Sequence, residues 1–318
     1  MVKKIAFLFI LALCAPGLLW AHGFAGKRFF PTTLTIDDPF VADELSIFLS
    51  HIEEPGEGQD SSVQATVVSG ELSKRVTQHL GISLGWDVRH LNPETGKTEA
   101  GVGNLELGAK YQFLASDPHE AILSIGLDTE LGGTGGHSVH AESFSTISPA
   151  LFFGKGLGDL PDSMRYFKPL AITGRVACNF PTRSKNVATH IDHGTGEGER
   201  QVEQNPNTLS WGLTIQYDFH YLQSFVRDAG LGVPFNRTIV IVELPLETCL
   251  NRGCADETTG TVNPGFIWFG KSLQLGIEAV IPINHQTGKN VGVLGLLHFY
   301  LDDLFPRTLG KPIFRRPR

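Results

Sequence analysis

The sequence predicts an all-β protein: a single antiparallel transmembrane β-barrel of about twelve strands, with a polar lumen, short periplasmic turns and longer extracellular loops. Three observations predict this fold. Apolar and polar residues alternate along segments of about ten residues, which exceed the usual globular strand of about five or six residues. The connections between these segments are alternately short and long. The chain also begins with a leader typical of exported proteins.

The leader occupies residues 1–21. Lys3 and Lys4 precede the apolar run IAFLFILALCAPGLLW, and the small residue Ala21 follows it. A basic end, an apolar stretch and a small residue at the cleavage point indicate a secretory signal peptide. A membrane-anchoring helix is the alternative.

Three segments are predicted after the leader. Residues 22–43 lack alternation, so we expect them to plug the lumen or to lie at its periplasmic rim. The barrel is predicted over 44–302. A basic tail follows over 303–318.

The alternation is clearest in LELGAKYQF, residues 105–113. Leu107 and Tyr111 lie on one face and Glu106 and Lys110 on the other, because successive side chains of a strand point to opposite sides. Four further strong segments lie at 80–90, 121–131, 208–219 and 273–283. Weaker copies lie at 44–52, 62–76, 144–156, 167–180, 237–248, 261–269 and 290–302. Since no long helical pattern separates them, neighbouring strands are expected to pair antiparallel.

The connections form two sets, which predicts two different rims. Short turns are predicted at 77–79, 115–120, 157–166 and 270–271. Loops that are mostly long and polar are predicted at 53–61, 91–102, 132–143, 181–207, 249–260 and 284–289. The connection 220–236 is long although its place in the order puts it on the turn side, so we expect a short amphipathic segment there.

Composition excludes several classes of protein. The net charge of −7 and the 19% of charged residues give no basic surface for nucleic acid. Only the leader approaches the run of about 20 apolar residues that a membrane-spanning helix needs. A sheet in a bilayer must close on itself, because lipid cannot pair backbone N–H and C=O groups. A soluble β-sandwich or a periplasmic lipocalin-like barrel, with the apolar face turned inward, is the alternative.

In the barrel interpretation the polar faces point into the lumen. The lumen-lining candidates are Asp87, Arg89, Glu106, Lys110, Asp128, Glu130, Arg175, Asp218, Glu243, Glu278 and His298. Because both signs of charge are present, the set fits ion pairs that fill a narrow barrel and equally fits the lining of a selective pore.

The cysteines predict one disulfide. Cys249 and Cys254 lie in CLNRGC, close enough to close a small loop in an oxidising compartment. Cys178 has no evident partner in the sequence, and its apolar face predicts a small buried hydrophobe.

Histidines in two loops raise a metal hypothesis. His137 and His140 lie in one loop, and His190, Asp192 and His193 lie in the other. Imidazole and carboxylate groups suit zinc or copper. The spacing matches no recognised site and loops of this composition are usually solvated, so we predict neither a metal nor a cofactor.

Two other functional classes are open besides a channel. An outer-membrane lipid hydrolase needs a Ser, a His and an orienting Asn or Asp on one lipid-facing surface. His298 lies on the predicted inner face of the last strand, and no Ser motif accompanies it, so we predict no catalytic residue and no enzyme. The other class is a barrel that only anchors the loops 181–207 and 249–260.

Motifs near the two ends of the chain carry a resemblance. FAGKRFFP, DDPFVADELS, LHFYLDDLFP and LGKPIF resemble stretches of outer-membrane proteins grouped with the MetA-pathway phenol-degradation transporters, a group distantly similar to the long-chain fatty-acid transporter superfamily. The resemblance implies a barrel in the outer membrane of a Gram-negative bacterium that admits small hydrophobic or aromatic compounds. It departs at the end, where Arg315, Arg316, Pro317 and Arg318 follow Phe314, so the terminal aromatic residue typical of assembly signals is not terminal.

The sequence therefore predicts an outer-membrane channel or transporter for small molecules, hydrophobic or aromatic compounds among them. Membrane lipids, a small-molecule permeant and the outer-membrane assembly machinery are its expected partners. No partnership with nucleic acid is expected.

Overall fold

The computed structural model describes residues 23–55, 62–94, 96–191, 198–252, 254 and 257–314. In these ranges twelve long strands form the main body of the protein. They are β1 (Glu44–Pro55), β2 (Ser62–Arg75), β3 (Leu80–Pro93), β4 (Leu105–Ser116), β5 (Ala121–Leu131), β6 (Thr146–Gly156), β7 (Leu170–Pro181), β8 (Thr208–Asp218), β9 (Thr238–Cys249), β10 (Thr258–Phe269), β11 (Leu273–Pro282) and β12 (Gly292–Tyr300). Each of them coincides with one of the twelve predicted segments. The predicted leader 1–21 and the terminal residues 315–318 lie outside the described residues.

The twelve strands form a closed barrel. Each strand pairs antiparallel with the next one along the chain, and β12 pairs with β1 through partners such as Leu294 and Ser50. Closure leaves none of these twelve strands at an open edge, which is the condition for placing a sheet in lipid. The predicted antiparallel barrel of about twelve strands is confirmed.

The connections divide between two ends of the barrel. Those after β2, β4, β6, β8 and β10 lie at the end where the chain enters β1 and leaves β12, which we name the turn rim. Those after the odd-numbered strands lie at the opposite end, the loop rim. In outer-membrane barrels the turns are periplasmic and the longer loops extracellular, which assigns the turn rim to the periplasm.

Short helical turns and strands lie at both rims. At the turn rim, helical turns span Asp162–Phe167, Phe219–Tyr221, Leu222–Val226 and Phe235–Arg237, and Leu301–Leu304 follows β12. At the loop rim, a helical turn spans His137–Val139, a strand Glu99–Val102 pairs with β3, and a hairpin joins Lys185–Ile191 to Gly198–Gln204. Among the described residues, no helix has the length and apolar character to cross a membrane.

The apolar side chains of the strands point outward. On β4, Leu107 is 45% exposed, whereas Gln112 on the opposite face is only 4% exposed. The outward face of the barrel carries large exposed apolar residues, including Leu49, Val68, Ile82, Trp86, Ile125, Leu151, Val176, Trp211, Ile215, Val240, Phe266, Leu275 and Val293. An apolar surface of this extent requires lipid rather than water.

Candidate functional site: a plugged lumen

The lumen contains the segment 23–43, which we name the plug. It begins at the turn rim with a small hairpin, Phe24–Ala25 paired with Arg28–Phe29. It then extends to an apex at 34–37 and returns to enter β1. Its apolar side chains Phe30, Leu34 and Ile36 are buried against the inner wall.

A carboxylate on β9 holds one side of the apex. Glu243 accepts three consecutive backbone N–H groups, from Leu34 at 2.9 Å, Thr35 at 2.9 Å and Ile36 at 3.0 Å. The hydroxyl of Thr214 on β8 donates to the same carboxylate at 3.0 Å. Successive N–H groups that converge in this way form an anion-binding nest, so the plug backbone is shaped around the Glu243 side chain.

An ammonium group on β4 holds the other side of the apex. Lys110 Nζ lies 2.7 Å from the Asp37 carboxylate and donates to the backbone carbonyl of Asp38 at 2.7 Å. The same ammonium lies 4.6 Å from the centroid of the Phe152 ring. Because β4 and β9 are five strands apart in a ring of twelve, the apex is tied to nearly opposite walls of the barrel.

The plug is anchored at the turn rim by a buried ion pair. Arg28 is 0% exposed, and its guanidinium donates to Glu120 at 3.3 Å and to the carbonyl of Pro169 at 2.9 Å. It also lies 3.9 Å from the centroid of the Tyr221 ring. The Tyr221 hydroxyl donates to Glu120 at 2.8 Å, and burial raises the pKa of that phenol, which keeps the proton on it.

A second group of ion pairs anchors the C-terminal end of the plug, where it enters β1. Asp43 accepts from Lys74 at 2.6 Å and pairs with Arg75 at 2.8 Å. Arg75 also lies 3.5 Å from Asp302, just after β12. The carbonyl groups of Leu309 and Lys311 accept hydrogen bonds from Lys74. The described part of the C-terminal tail therefore packs against the turn rim beside the start of β1.

The plug does not fill the lumen. A cavity of about 680 Å³, the main cavity, extends along the inner face of β2 to β8, from Gly81 near the turn rim to Asn205 at the loop rim. The carboxylates that line it are Asp37, Glu44, Glu71, Glu106, Asp128, Glu130, Glu142 and Glu247. Lys110 and Arg175 are the cationic side chains among its described lining residues. The lining is therefore predominantly acidic.

A smaller cavity, the side cavity, lies between the plug and β1, β2, β10, β11 and β12. Its volume is about 490 Å³. Thr35, Asp37, Glu44 and Glu71 line both cavities, so the two meet beside the plug apex.

The eleven candidates from the sequence fall into distinct environments. Five of them line the main cavity, namely Glu106, Lys110, Asp128, Glu130 and Arg175. Within this set, Arg175 pairs with Asp128 at 2.7 Å, and Asn104 donates to Glu130 at 2.7 Å. Asp87 and Arg89 pair with each other.

The remaining candidates, Asp218, Glu243, Glu278 and His298, are buried between the barrel wall and the plug or at the turn rim. Glu243 and Glu278 lie below the apex, where Thr35 is 3.5 Å from Glu278. Asp218 caps the helical turn Phe219–Tyr221 at the turn rim, accepting from the backbone N–H of His220 at 2.8 Å. Asp218 is the last residue of β8, so its side chain stabilises the helical turn that follows. Whether any of the eleven lines a permeation path stays a prediction.

Three acidic residues near the apex were absent from the sequence prediction. Asp37 belongs to the plug, Glu44 begins β1, and Glu71 lies on β2. Glu71 lies on the same face of the weak segment 62–76 as Ser69 and Ser73, and this shared polar face was the available signal. Asp37 carries no periodic signal, because it precedes the first predicted strand. Glu44 begins the weak segment 44–52, where it shares a face with Ser46 and Ser50.

The lumen also has an apolar patch, which alternation did not predict. Ile239, Ile241, Ile267, Leu294 and Leu296 point inward from β9, β10 and β12. The plug residues Phe29 and Leu34 pack against them. This patch stabilises the plug by apolar burial, in addition to its polar anchors.

His298 has a hydroxyl neighbour that the sequence did not reveal. Ser46 on β1 lies 2.9 Å from His298 Nδ1, and Glu44 lies 3.7 Å from Nε2. His298 is 0% exposed and faces the interior beneath the plug. A lipid hydrolase needs its nucleophile within reach of lipid, so this buried pair supports a structural role.

The metal candidates do not converge in the part of the chain that the structure describes. His137 and His140 are exposed at the loop rim, and His190, Asp192 and His193 have no described side chain. Within the described residues, no group of three His, Cys, Asp or Glu residues is arranged to hold a metal ion.

The three described cysteines differ in environment. The sulfurs of Cys249 and Cys254 are paired, with Cα atoms 5.8 Å apart, a separation that suits a disulfide. Cys178 is a free thiol and only half-buried, on the outward face of β7. We expected it to be buried, but this face is covered by lipid rather than by protein.

Comparisons with known proteins show the same architecture. No family model matches the chain, and no curated protein matches it. Among solved structures, the COG4313 outer membrane channel from Pseudomonas putida F1 is 14% identical with a TM-score of 0.56, over 86% of this chain and 99% of that one. The KdgM porin is 13% identical with a TM-score of 0.42, over 80% and 98% of the two chains. At 14% identity the likeness to the first protein shows the fold alone.

The antiparallel fold, the apolar outer surface and the closure of the barrel all indicate the same environment. The chain forms an outer-membrane β-barrel, surrounded by membrane lipids in the outer membrane of a Gram-negative bacterium.

Proposed function

We propose that the protein is an outer-membrane channel for small molecules, constricted by its own N-terminal plug. The main cavity is the observation that supports this function. It runs from Gly81 to Asn205 beside the plug and offers about 680 Å³ of space. A barrel that served only as an anchor would gain stability from filling this space, because cavities weaken packing.

The apex contacts support a plug that can be displaced. Glu243 and Lys110 hold the apex through hydrogen bonds and an ion pair, which exchange readily with water when the segment moves. Arg28 and the packing of Phe29 on the apolar patch retain the base of the plug, whereas Leu34 would leave that patch when the apex moves. A displaced apex would join the two cavities into a wider passage.

The charge of the main-cavity lining indicates which molecules can pass. Eight carboxylates and two cations among the described residues of the main cavity favour cations over anions. The resemblance of the end motifs supports small hydrophobic or aromatic compounds as permeants. We propose that the permeants are small cationic or neutral molecules, hydrophobic or aromatic compounds among them, and that anions are disfavoured. The outer-membrane assembly machinery is the proposed partner in biogenesis.

Planar-bilayer conductance tests the channel. Full-length protein, a 22–43 deletion and the point variant Glu243→Gln are compared, each checked for folding by heat-modifiable gel migration. We expect small currents from the full-length protein and larger currents from both variants. Folded variants that pass no current at all would contradict the channel and support an anchor that presents the loops.

The hydrolase alternative is tested with the same preparations. Purified protein is incubated with phospholipid vesicles and with lipid A, and released fatty acid is measured. We expect no release above a protein-free blank. Release that disappears in Ser46→Ala would overturn the proposal and establish an enzyme.

A further inference from the structure

We infer that the side cavity is a binding site for small organic ammonium ions, an amine carried on an aromatic or alkyl body. The inference rests on the proposed channel function for the route of entry only. Binding itself requires no conduction.

The polar end of the side cavity offers acceptors. Asp37, Glu44 and Glu71 contribute carboxylates. Asp37 already pairs with Lys110 at 2.7 Å, so Glu44 and Glu71 are the carboxylates that we assign to a ligand. Glu71 accepts a hydrogen bond from Ser73 at 2.8 Å, which leaves acceptor capacity on its carboxylate.

An amide on β10 independently points to a missing donor. Asn263 lines the side cavity and is 0% exposed. Its Nδ2 donates to Thr35 at 3.1 Å, but its Oδ1 has no hydrogen-bond partner among the described residues. A buried carbonyl oxygen without a donor is rare in proteins and is usually satisfied by a ligand or water.

The chemistry of these groups selects the ligand. The carboxylates of Glu44 and Glu71 and the carbonyl oxygen of Asn263 accept hydrogen bonds, whereas a primary ammonium offers three N–H donors, a positive charge and no acceptor. Neutral alcohols would supply one donor and no charge. The acceptors of the side cavity therefore recognise an ammonium group.

The rest of the cavity indicates an organic body. Phe48, Val280 and Leu294 contribute apolar wall, and Phe48 and Val280 pack against the apolar patch. A hydrated metal ion gains nothing from such a wall, while an aromatic or alkyl group is stabilised by it. The volume of about 490 Å³ lies in the usual range for small-molecule sites.

Calorimetric titration of the full-length protein in detergent micelles tests the inference. The probes are phenethylammonium chloride, its neutral analogue 2-phenylethanol and methylammonium chloride, each corrected with protein-free micelles. We expect phenethylammonium to bind at least about tenfold more tightly than 2-phenylethanol, which lacks the charged hydrogen bonds, and than methylammonium, which lacks the aromatic body. Raising the salt from about 50 mM to about 500 mM should weaken it.

Two variants and a matched control locate the site. Glu71→Gln and Glu44→Gln should each weaken phenethylammonium about tenfold. Glu53→Gln removes the same charge from β1 but on the outward face, and should leave the affinity within about twofold. Heat-modifiable migration confirms that each variant folds, so that a lost signal reports binding.

The outcomes separate this inference from the channel. Binding of the alcohol as tight as that of the amine, equal affinity in wild type and both cavity variants, or no binding of phenethylammonium at millimolar concentration would overturn it. A conducting protein that fails this titration keeps the channel and loses the site. A protein that binds the amine but never conducts keeps the site and loses the channel.

Discussion

Glu243 and Thr35 form the central contact between the barrel wall and the plug. One carboxylate oxygen of Glu243 accepts both the backbone N–H and the hydroxyl of Thr35, each at 2.9 Å. The second oxygen accepts from Ile36 at 3.0 Å. A single side chain on β9 therefore holds three consecutive residues of the apex on one side.

Replacing that carboxylate should loosen the apex. In Glu243→Gln, one oxygen becomes an NH₂ group that cannot accept from the plug N–H groups, and the charge that strengthens these hydrogen bonds is lost. We expect a cost of about 2 kcal/mol to the closed arrangement. That energy shifts the equilibrium towards displaced plugs by a factor of up to about 30. Single-channel recording should show a rise in open probability of that order.

Glu278→Gln is the matched control for this experiment. Glu278 lies beside Glu243 on the inner wall, but its contact with the apex is a single long one, 3.5 Å from Thr35. We expect its open probability to stay close to that of the wild type. Equal gating in the two variants would contradict the role assigned to Glu243.

The base of the plug should depend on the Arg28 and Glu120 pair. Arg28→Met leaves the Glu120 carboxylate buried without its cation, which costs about 3 to 5 kcal/mol. Hydrogen exchange followed by mass spectrometry should show faster exchange in peptides from 23–43. Combining Arg28→Met with Glu120→Gln should restore about 1 to 3 kcal/mol, because the two residues interact directly.

Asp162→Asn controls for loss of charge at the same rim. Asp162 pairs with Lys168 at 2.7 Å, and this hydrogen bond lowers the pKa of Asp162 below its ordinary value. Because the carboxylate is exposed, its removal should leave plug exchange unchanged. Additive effects of Arg28→Met and Glu120→Gln would instead show that the two residues stabilise the plug separately.

The cysteines give a prediction that does not depend on transport. Non-reducing peptide mapping should find Cys249 joined to Cys254. Cys178 faces outward on β7 between the exposed side chains of Val176 and Phe180, so a charged maleimide, which does not enter lipid, should leave it unlabelled in proteoliposomes and label it after denaturation. Rapid labelling of Cys178 in intact proteoliposomes would show that this part of β7 does not face lipid.

The sequence predicted the barrel wall far better than its contents. Alternation has a fixed period, so LELGAKYQF could be assigned an outer and an inner face from nine letters. The plug has no period, and its position is determined by tertiary contacts such as those of Glu243 and Lys110. Ser46 and His298 are 252 residues apart, and only the pairing of β12 with β1 brings them together. Such contacts follow from closure and register, which local patterns do not encode.

The charge of the lumen should set ion selectivity, and Lys110 provides the sharpest test. Removing its ammonium in Lys110→Met leaves Arg175 as the remaining cation among the described residues of the main cavity. A unit charge acts on a passing ion about 4 Å away with about 1 kcal/mol in water, which corresponds to about fivefold in a permeability ratio. The cation-to-anion permeability ratio, taken from the reversal potential in a KCl gradient, should rise by up to that factor.

Reversal potential separates selectivity from gating. Lys110→Met also frees Asp37 and so loosens the apex, but open probability scales the current without shifting the potential at which it reverses. Lys155→Met is the control, because Lys155 lies at the turn rim, where it pairs with Asp159 at 2.9 Å, and it does not line the main cavity. Its reversal potential should match the wild type. A Lys110→Met channel whose cation-to-anion permeability ratio is equal to or lower than that of the wild type would mean that ions do not pass beside Lys110 along the acidic wall.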